Sequence, residues 1–88
     1  MKVLKFGASW CPDCKMMEPL WKEIEKKHSW LETEYIGIDK HPEAINQYKI
    51  LSVPTFLFLD KEENEILRLS GKIAKDILIK TILENKDK

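Results

Sequence analysis

The sequence has no surplus of charge of either sign, because fifteen Lys plus Arg balance fifteen Asp plus Glu over 88 residues. That balance leaves no global field to draw the chain to nucleic acid or to an anionic membrane surface, so partners must be recognised locally. Long apolar runs are absent as well, which excludes a membrane-spanning helix. The opening Met1-Lys2-Val3-Leu4-Lys5-Phe6-Gly7 is too short and too broken by charge to be a secretory apolar core. A cytoplasmic monomer is expected. Histidine is scarce, and neither His28 nor His41 has a cysteine or carboxylate at ligand spacing. Cysteine is equally scarce, and a single Cys-x-x-Cys supplies only half of a four-ligand zinc set. No metal and no bound cofactor are expected. The hydrophobic content of 43% excludes a disordered chain, and the length suits one domain over residues 1–88 with a single layered core.

Both cysteines lie in one stretch, Trp10-Cys11-Pro12-Asp13-Cys14. As a structural staple they would achieve little. Their loop is so short that chain entropy gives only about 2 kcal/mol, and a staple would join distant segments. A Cys-x-x-Cys between an apolar strand-like run and a helical run reads instead as a redox pair. The amino end of a helix favours a thiolate on its first cysteine. Cys11 is therefore the expected nucleophile, forming a mixed disulfide with a substrate. Cys14, one turn further in and expected to be the more buried, attacks that intermediate and releases the reduced product.

The surrounding pattern is alternating strand and helix. Val3 to Phe6 reads as a buried strand. From Cys11 to about Lys27 a helix is signalled by Pro12 at its first position and by an apolar stripe of Cys14, Met17, Leu20, Trp21 and Ile24. Pro19 should kink it, and Lys22, Glu23, Glu25, Lys26 and Lys27 should face water. Glu34 to Asp39 reads as a second strand, parallel to the first because a helix connects them. A short helix over Pro42 to Tyr48 follows, then a central strand over Val53 to Leu59, a polar turn at Lys61 to Asn64, and an antiparallel strand over Glu65 to Leu69. Gly71 breaks the pattern before a terminal amphipathic helix over Ala74 to Ile82. The order β-α-β-α-β-β-α gives an α/β class, a four-stranded mixed sheet with helices on both faces. Trp21 and Trp30 are expected to be packing residues.

Phe6-x-Ala8-x-Trp10-Cys11-x-x-Cys14-Lys15-Met16, with Pro19, Ile38-Asp39, Val53-Pro54-Thr55 and Gly71, resembles the thioredoxin family in order and spacing. The resemblance covers nearly the whole chain, except for that family's additional amino-terminal strand and helix. It implies the thioredoxin fold and a cis Pro54 beside the cysteine pair. It also implies a substrate-binding surface made of Trp10, Pro12, the Val53 backbone and Pro54. Two departures stand out. The family's usual Gly-Pro between the cysteines is Pro-Asp here, as in certain small relatives of narrower substrate range. The family's usual buried carboxylate six residues before the first cysteine is replaced by Lys5, and the lysine common on the neighbouring strand is matched by Tyr35.

Lys5 and Asp13 are accordingly the candidates for tuning the thiol pKa values. Lys5 either snorkels to solvent from a strand end or places its ammonium near the cysteines, lowering their pKa values and making the disulfide more oxidising. Asp13 either favours the helix start, carries protons, or opposes a neighbouring thiolate. The expected function is that of a thiol–disulfide oxidoreductase acting on disulfide-containing client proteins. Electrons would come from a thioredoxin-reductase-like flavoprotein or from glutathione. Two alternatives stay open. One is a glutaredoxin-like, glutathione-coupled enzyme, although the paired glycines that would bind glutathione have no counterpart around Ser70-Gly71-Lys72. The other is a non-catalytic client-binding module.

Overall fold

Strand β1, Lys2–Gly7, occupies an inner position of a four-stranded sheet in the computed structural model, which describes residues 1–88. Side chains alternate along a strand, so Val3, Lys5 and Gly7 project to one face while Leu4 and Phe6 project to the other. Helix α1, Pro12–Lys27, leads into β2, Glu32–Gly37, which pairs parallel to β1 with Lys5 opposite Tyr35 and Gly7 opposite Gly37. Helix α2, Glu43–Gln47, precedes β3, Thr55–Leu59, which runs antiparallel to β1. Strand β4, Glu65–Ser70, pairs antiparallel with β3, and α3, Lys75–Glu84, ends the fold. The sheet order is β2-β1-β3-β4, the four-stranded mixed sheet expected from the sequence.

Two apolar layers clamp this sheet. On one face Val3, Phe56 and Phe58 pack with Met17, Trp21 and Ile24 of α1 and with Leu78 and Ile82 of α3. On the other Leu4, Phe6, Leu57 and Leu59 pack with Ala44 of α2 and with Ile50. Each fully buried large side chain contributes about 1.5–3 kcal/mol, enough to hold β1 and β3 as the fixed centre of the molecule. No helix is long and apolar enough to cross a membrane.

The departures from expectation are local. Strand β2 begins at Glu32 and ends at Gly37, because the Gly37 carbonyl accepts the N–H groups of Lys40 and His41 and turns the chain before Asp39. Strand β3 begins at Thr55, since Pro54 has no N–H for the ladder. Helix α1 runs continuously through the exposed Pro19, so the expected interruption is confined to one missing backbone donor. Glu25 does not face water as its helix neighbours do; it is half-buried, turned toward a cation on β1. Trp21 packs against Phe56 as expected, whereas Trp30 is exposed and lies under the Lys86 ammonium.

Candidate dithiol site

The loop leaving β1 is closed by the Cys11 N–H, which donates to the Ala8 carbonyl at 3.2 Å. Pro12 then starts α1, and Cys11 becomes its N-cap with extended backbone angles (φ −94°, ψ 111°). At this position the Cys14 N–H donates to Cys11 Sγ at 3.2 Å. The first turn of a helix has N–H groups without intrahelical partners, so a negative sulfur placed there is stabilised by the bond and by the helix dipole. Cys11 and Cys14 are joined as a disulfide with their Cα atoms 5.3 Å apart.

The segment before β3 lies across from this turn. The Val53–Pro54 peptide is cis, as the resemblance implied, and Pro54 is buried. Cys11 Sγ lies 3.7 Å from the Val53 carbonyl oxygen, a contact in which the disulfide sulfur has no proton to donate. Neither the N–H nor the carbonyl of Val53 bonds to backbone, which leaves an unpaired peptide edge beside the sulfur. Trp10 is 67% exposed next to Cys11, and Pro12 is exposed beside it. Leu51, two residues before Val53 in the same loop, is 98% exposed. Sequence reasoning passed over Leu51 because it lies on no helical or strand stripe; its only signal is an apolar side chain in a loop adjoining the Val-Pro-Thr segment.

The relative burial of the cysteines reverses the expectation. Cys11 is only 4% exposed, whereas Cys14 is half-buried. Cys11 is covered by the Val53 segment, while Cys14 borders a cavity between α1 and the β1–β2 edge, together with Lys5, Gly7, Trp21, Glu25 and Tyr35. Lys5 departs from the first of its two expected positions. Its side chain is only 17% exposed, so it does not snorkel to solvent. Its ammonium shares the cavity with Cys14, yet donates to Glu25 Oε2 at 2.6 Å and lies 5.6 Å from the Trp21 ring centroid, so it is not an uncompensated cation. Asp13 is exposed in the first turn of α1, in keeping with a helix-start role.

Two polar ties fix the loops around the sulfurs. Ser9 Oγ donates to Asp39 Oδ2 at 2.6 Å, joining the loop after β1 to the chain after β2. This bond, the largest influence on it, holds the Asp39 carboxyl below the ordinary value. On the other side Arg68 forms a two-pronged pair with Glu65 and donates to the carbonyls of Tyr48 (3.0 Å) and Lys49 (3.1 Å), anchoring the start of the loop that carries Leu51 and Val53. The Arg68 bond is the main reason that the Glu65 carboxyl is held low.

The fold and the paired cysteines together support a thiol–disulfide oxidoreductase, in which two thiols exchange with an external disulfide. The model of the thioredoxin family matches residues 1–84, and the chain belongs to that family. It is 38% identical over 80 residues to a thioredoxin from Chlamydia caviae, covering 91% of this chain and 78% of that protein. It is 36% identical over 75 residues to Thioredoxin H5 of Oryza sativa subsp. japonica, covering 85% of this chain but only 55% of that longer protein. Among solved structures, a thioredoxin from Nicotiana alata superposes with a TM-score of 0.88 at 34% identity, covering 96% of this chain and 71% of the other.

Proposed function

We propose that this chain reduces or exchanges disulfides of client proteins through its own dithiol, acting as one domain over residues 1–88, as a monomer, in the cytoplasm. Cys11 attacks the client disulfide, and Cys14 resolves the mixed disulfide that results. The client lies as an extended segment along the open Val53 backbone, against Trp10, Pro12, Pro54 and Leu51. Electrons return to the pair from a thioredoxin-reductase-like flavoprotein or from glutathione. What carries this assignment is the position of Cys11 Sγ, which accepts the Cys14 N–H at a helix start while facing the unpaired Val53 edge. Dithiothreitol-driven reduction of insulin tests it. The protein should accelerate the reaction, Cys11→Ser should abolish the acceleration, and Cys14→Ser should accumulate a mixed disulfide with the client. Absence of acceleration by the unaltered protein would leave a client-binding module in its place.

A further inference from the structure

Gly7 ends β1 directly beneath the cysteine turn, and the space above its Cα is shared by two groups. A Cβ at this position would lie 3.0 Å from the Tyr35 hydroxyl and 3.3 Å from Cys14 Sγ. The missing side chain therefore lets the Tyr35 ring lean across from β2 until its hydroxyl borders the same pocket of space as the sulfur. Parallel pairing makes this possible: Tyr35 is the register partner of Lys5 on the same sheet face, at its edge, and is 59% exposed.

We propose that the Tyr35 hydroxyl donates a hydrogen bond to Cys14 Sγ when that sulfur carries negative charge, stabilising the resolving thiolate. The inference rests on the dithiol activity proposed above and assigns to it a group that acts on the second cysteine. In the resolving step the Cys14 thiol loses its proton to water, and its sulfur bonds to Cys11 Sγ. The bond between Cys11 and the client sulfur breaks, and the client sulfur leaves with the electron pair. Two electrons have then passed from the cysteine pair to the client disulfide. Tyr35 keeps its own proton throughout. When the pair is reduced again and Cys14 is expelled, the same bond receives the departing thiolate.

The charges around the hydroxyl suit a donor. Burial first, then the carboxylates of Asp39 and Glu18, push the Tyr35 phenol above its ordinary value, so it stays protonated where a thiol titrates. From α1 the cavity also receives Lys15, Lys22 and Glu25, and from β1 it receives Lys5. Glu25 holds Lys5 at 2.6 Å, which leaves the neutral phenol as a donor beside Gly7 that is not committed to another partner.

Tyr35→Phe removes the oxygen and keeps the ring, so it is the variant to test. A hydrogen bond to a charged group favours the charged form, and in a half-open site its loss should raise the Cys14 thiol pKa by roughly one unit, a tenfold fall in the thiolate ratio. Thiolate absorbance in a Cys11→Ser background reads this shift directly. With both cysteines present, dithiobis-nitrobenzoate in excess gives two releases of chromophore: a concentration-dependent one from attack by Cys11 and a concentration-independent one from resolution by Cys14. At neutral pH the second release should slow about threefold, because tenfold less thiolate is partly offset by the higher nucleophilicity of a more basic sulfur. Above the thiol pKa that offset alone remains, so the variant should match or exceed the unaltered protein, a crossing of the pH profiles that a loosened structure would not produce. The first release should be unchanged; its absence in the unaltered protein would refute the dithiol function itself. A normal first release, with the Cys14 titration unmoved and the second release within twofold at every pH, would overturn the role of Tyr35.

Discussion

Removing either charge of the Lys5–Glu25 pair should cost stability, and removing both should cost little more than removing one. The ammonium and carboxylate are 2.6 Å apart, with side chains 17% and 31% exposed, between the limits of a surface pair and a buried one. Attraction at such a distance exceeds about 4 kcal/mol at an effective dielectric constant of 20, but desolvation of both ions offsets most of it. Exposed pairs net about 0–1 kcal/mol, and breaking a buried pair costs about 3–5 kcal/mol. For Glu25→Gln, which strands the more buried charge, we expect a loss of about 2 kcal/mol. Lys5→Met should cost about 1 kcal/mol, since Glu25 can recover water and the methionine keeps the apolar stem under Trp21. The double variant should cost about 1–2 kcal/mol, giving a coupling of at least 1 kcal/mol. Urea denaturation of the four oxidised proteins at neutral pH measures the cycle, and each kcal/mol moves Tm by about 4–8 °C in a chain of this size. Losses that add to within about 0.5 kcal/mol would show that the ions are not coupled. The same variants have a redox consequence. Glu25→Gln leaves an uncompensated cation in the cavity that Cys14 borders, which favours the thiolate and makes the disulfide more oxidising; the double variant should lose that gain.

Leu51→Ser should leave stability within about 0.5 kcal/mol of the unaltered protein, because the side chain is 98% exposed and supports nothing. It should slow insulin reduction by roughly threefold, the effect of losing part of an apolar contact with a client, and an unchanged rate would remove Leu51 from the client surface. Ser9→Ala should raise the Asp39 titration midpoint toward the ordinary carboxyl value, as followed through the carboxyl carbon by NMR. The sign follows from linkage: the Ser9 bond depresses the folded-state pKa, so its stabilising contribution is present above the unfolded value and fades as pH falls through the folded one. The alanine variant should therefore show a smaller loss of stability on acidification, and an Asp39 midpoint that stays in place would rule out the Ser9 bond as its cause.

The order of elements was legible because each carries its own period. Met17, Trp21 and Ile24 recur at helical spacing and are buried together, and the run Thr55 to Leu59 is buried at every position, as a central strand demands. The cysteine turn was legible because Pro12 marks a helix start and Val53-Pro54-Thr55 supplied its opposite wall. What escaped was everything decided by contacts across elements. Glu25 reads as a surface residue on its own helix, and only the approach of Lys5 from β1 turns it inward. The relative burial of the cysteines depends on the Val53 segment, 42 residues away, closing over one sulfur and leaving the other on a cavity. Helical spacing alone placed Cys14 deeper, because it contains no information about a distant loop.

These cross-element contacts bear on how the chain manages without a carboxylate on β1. In the family pattern that strand position supplies a buried acid to the second cysteine; here Lys5 occupies it and is held by Glu25 from α1. The ion pair is internally balanced, so it offers Cys14 little net field while both partners remain. A neutral hydroxyl from β2 then becomes a polar group that can respond to charge on the sulfur, and Gly7 is what admits it, since a Cβ there would meet the Tyr35 ring and oxygen at 3.0 Å. A hydrogen-bond donor and a buried acid act on a thiol in different ways. The acid either takes the thiol proton and becomes neutral, or stays ionised and opposes a thiolate beside it, whereas the donor stabilises the thiolate and takes no proton. Replacement of one by the other should therefore shift the Cys14 thiol downward without adding a second ionisation to its titration curve, which makes the shape of that curve, as much as its midpoint, characteristic of this chain.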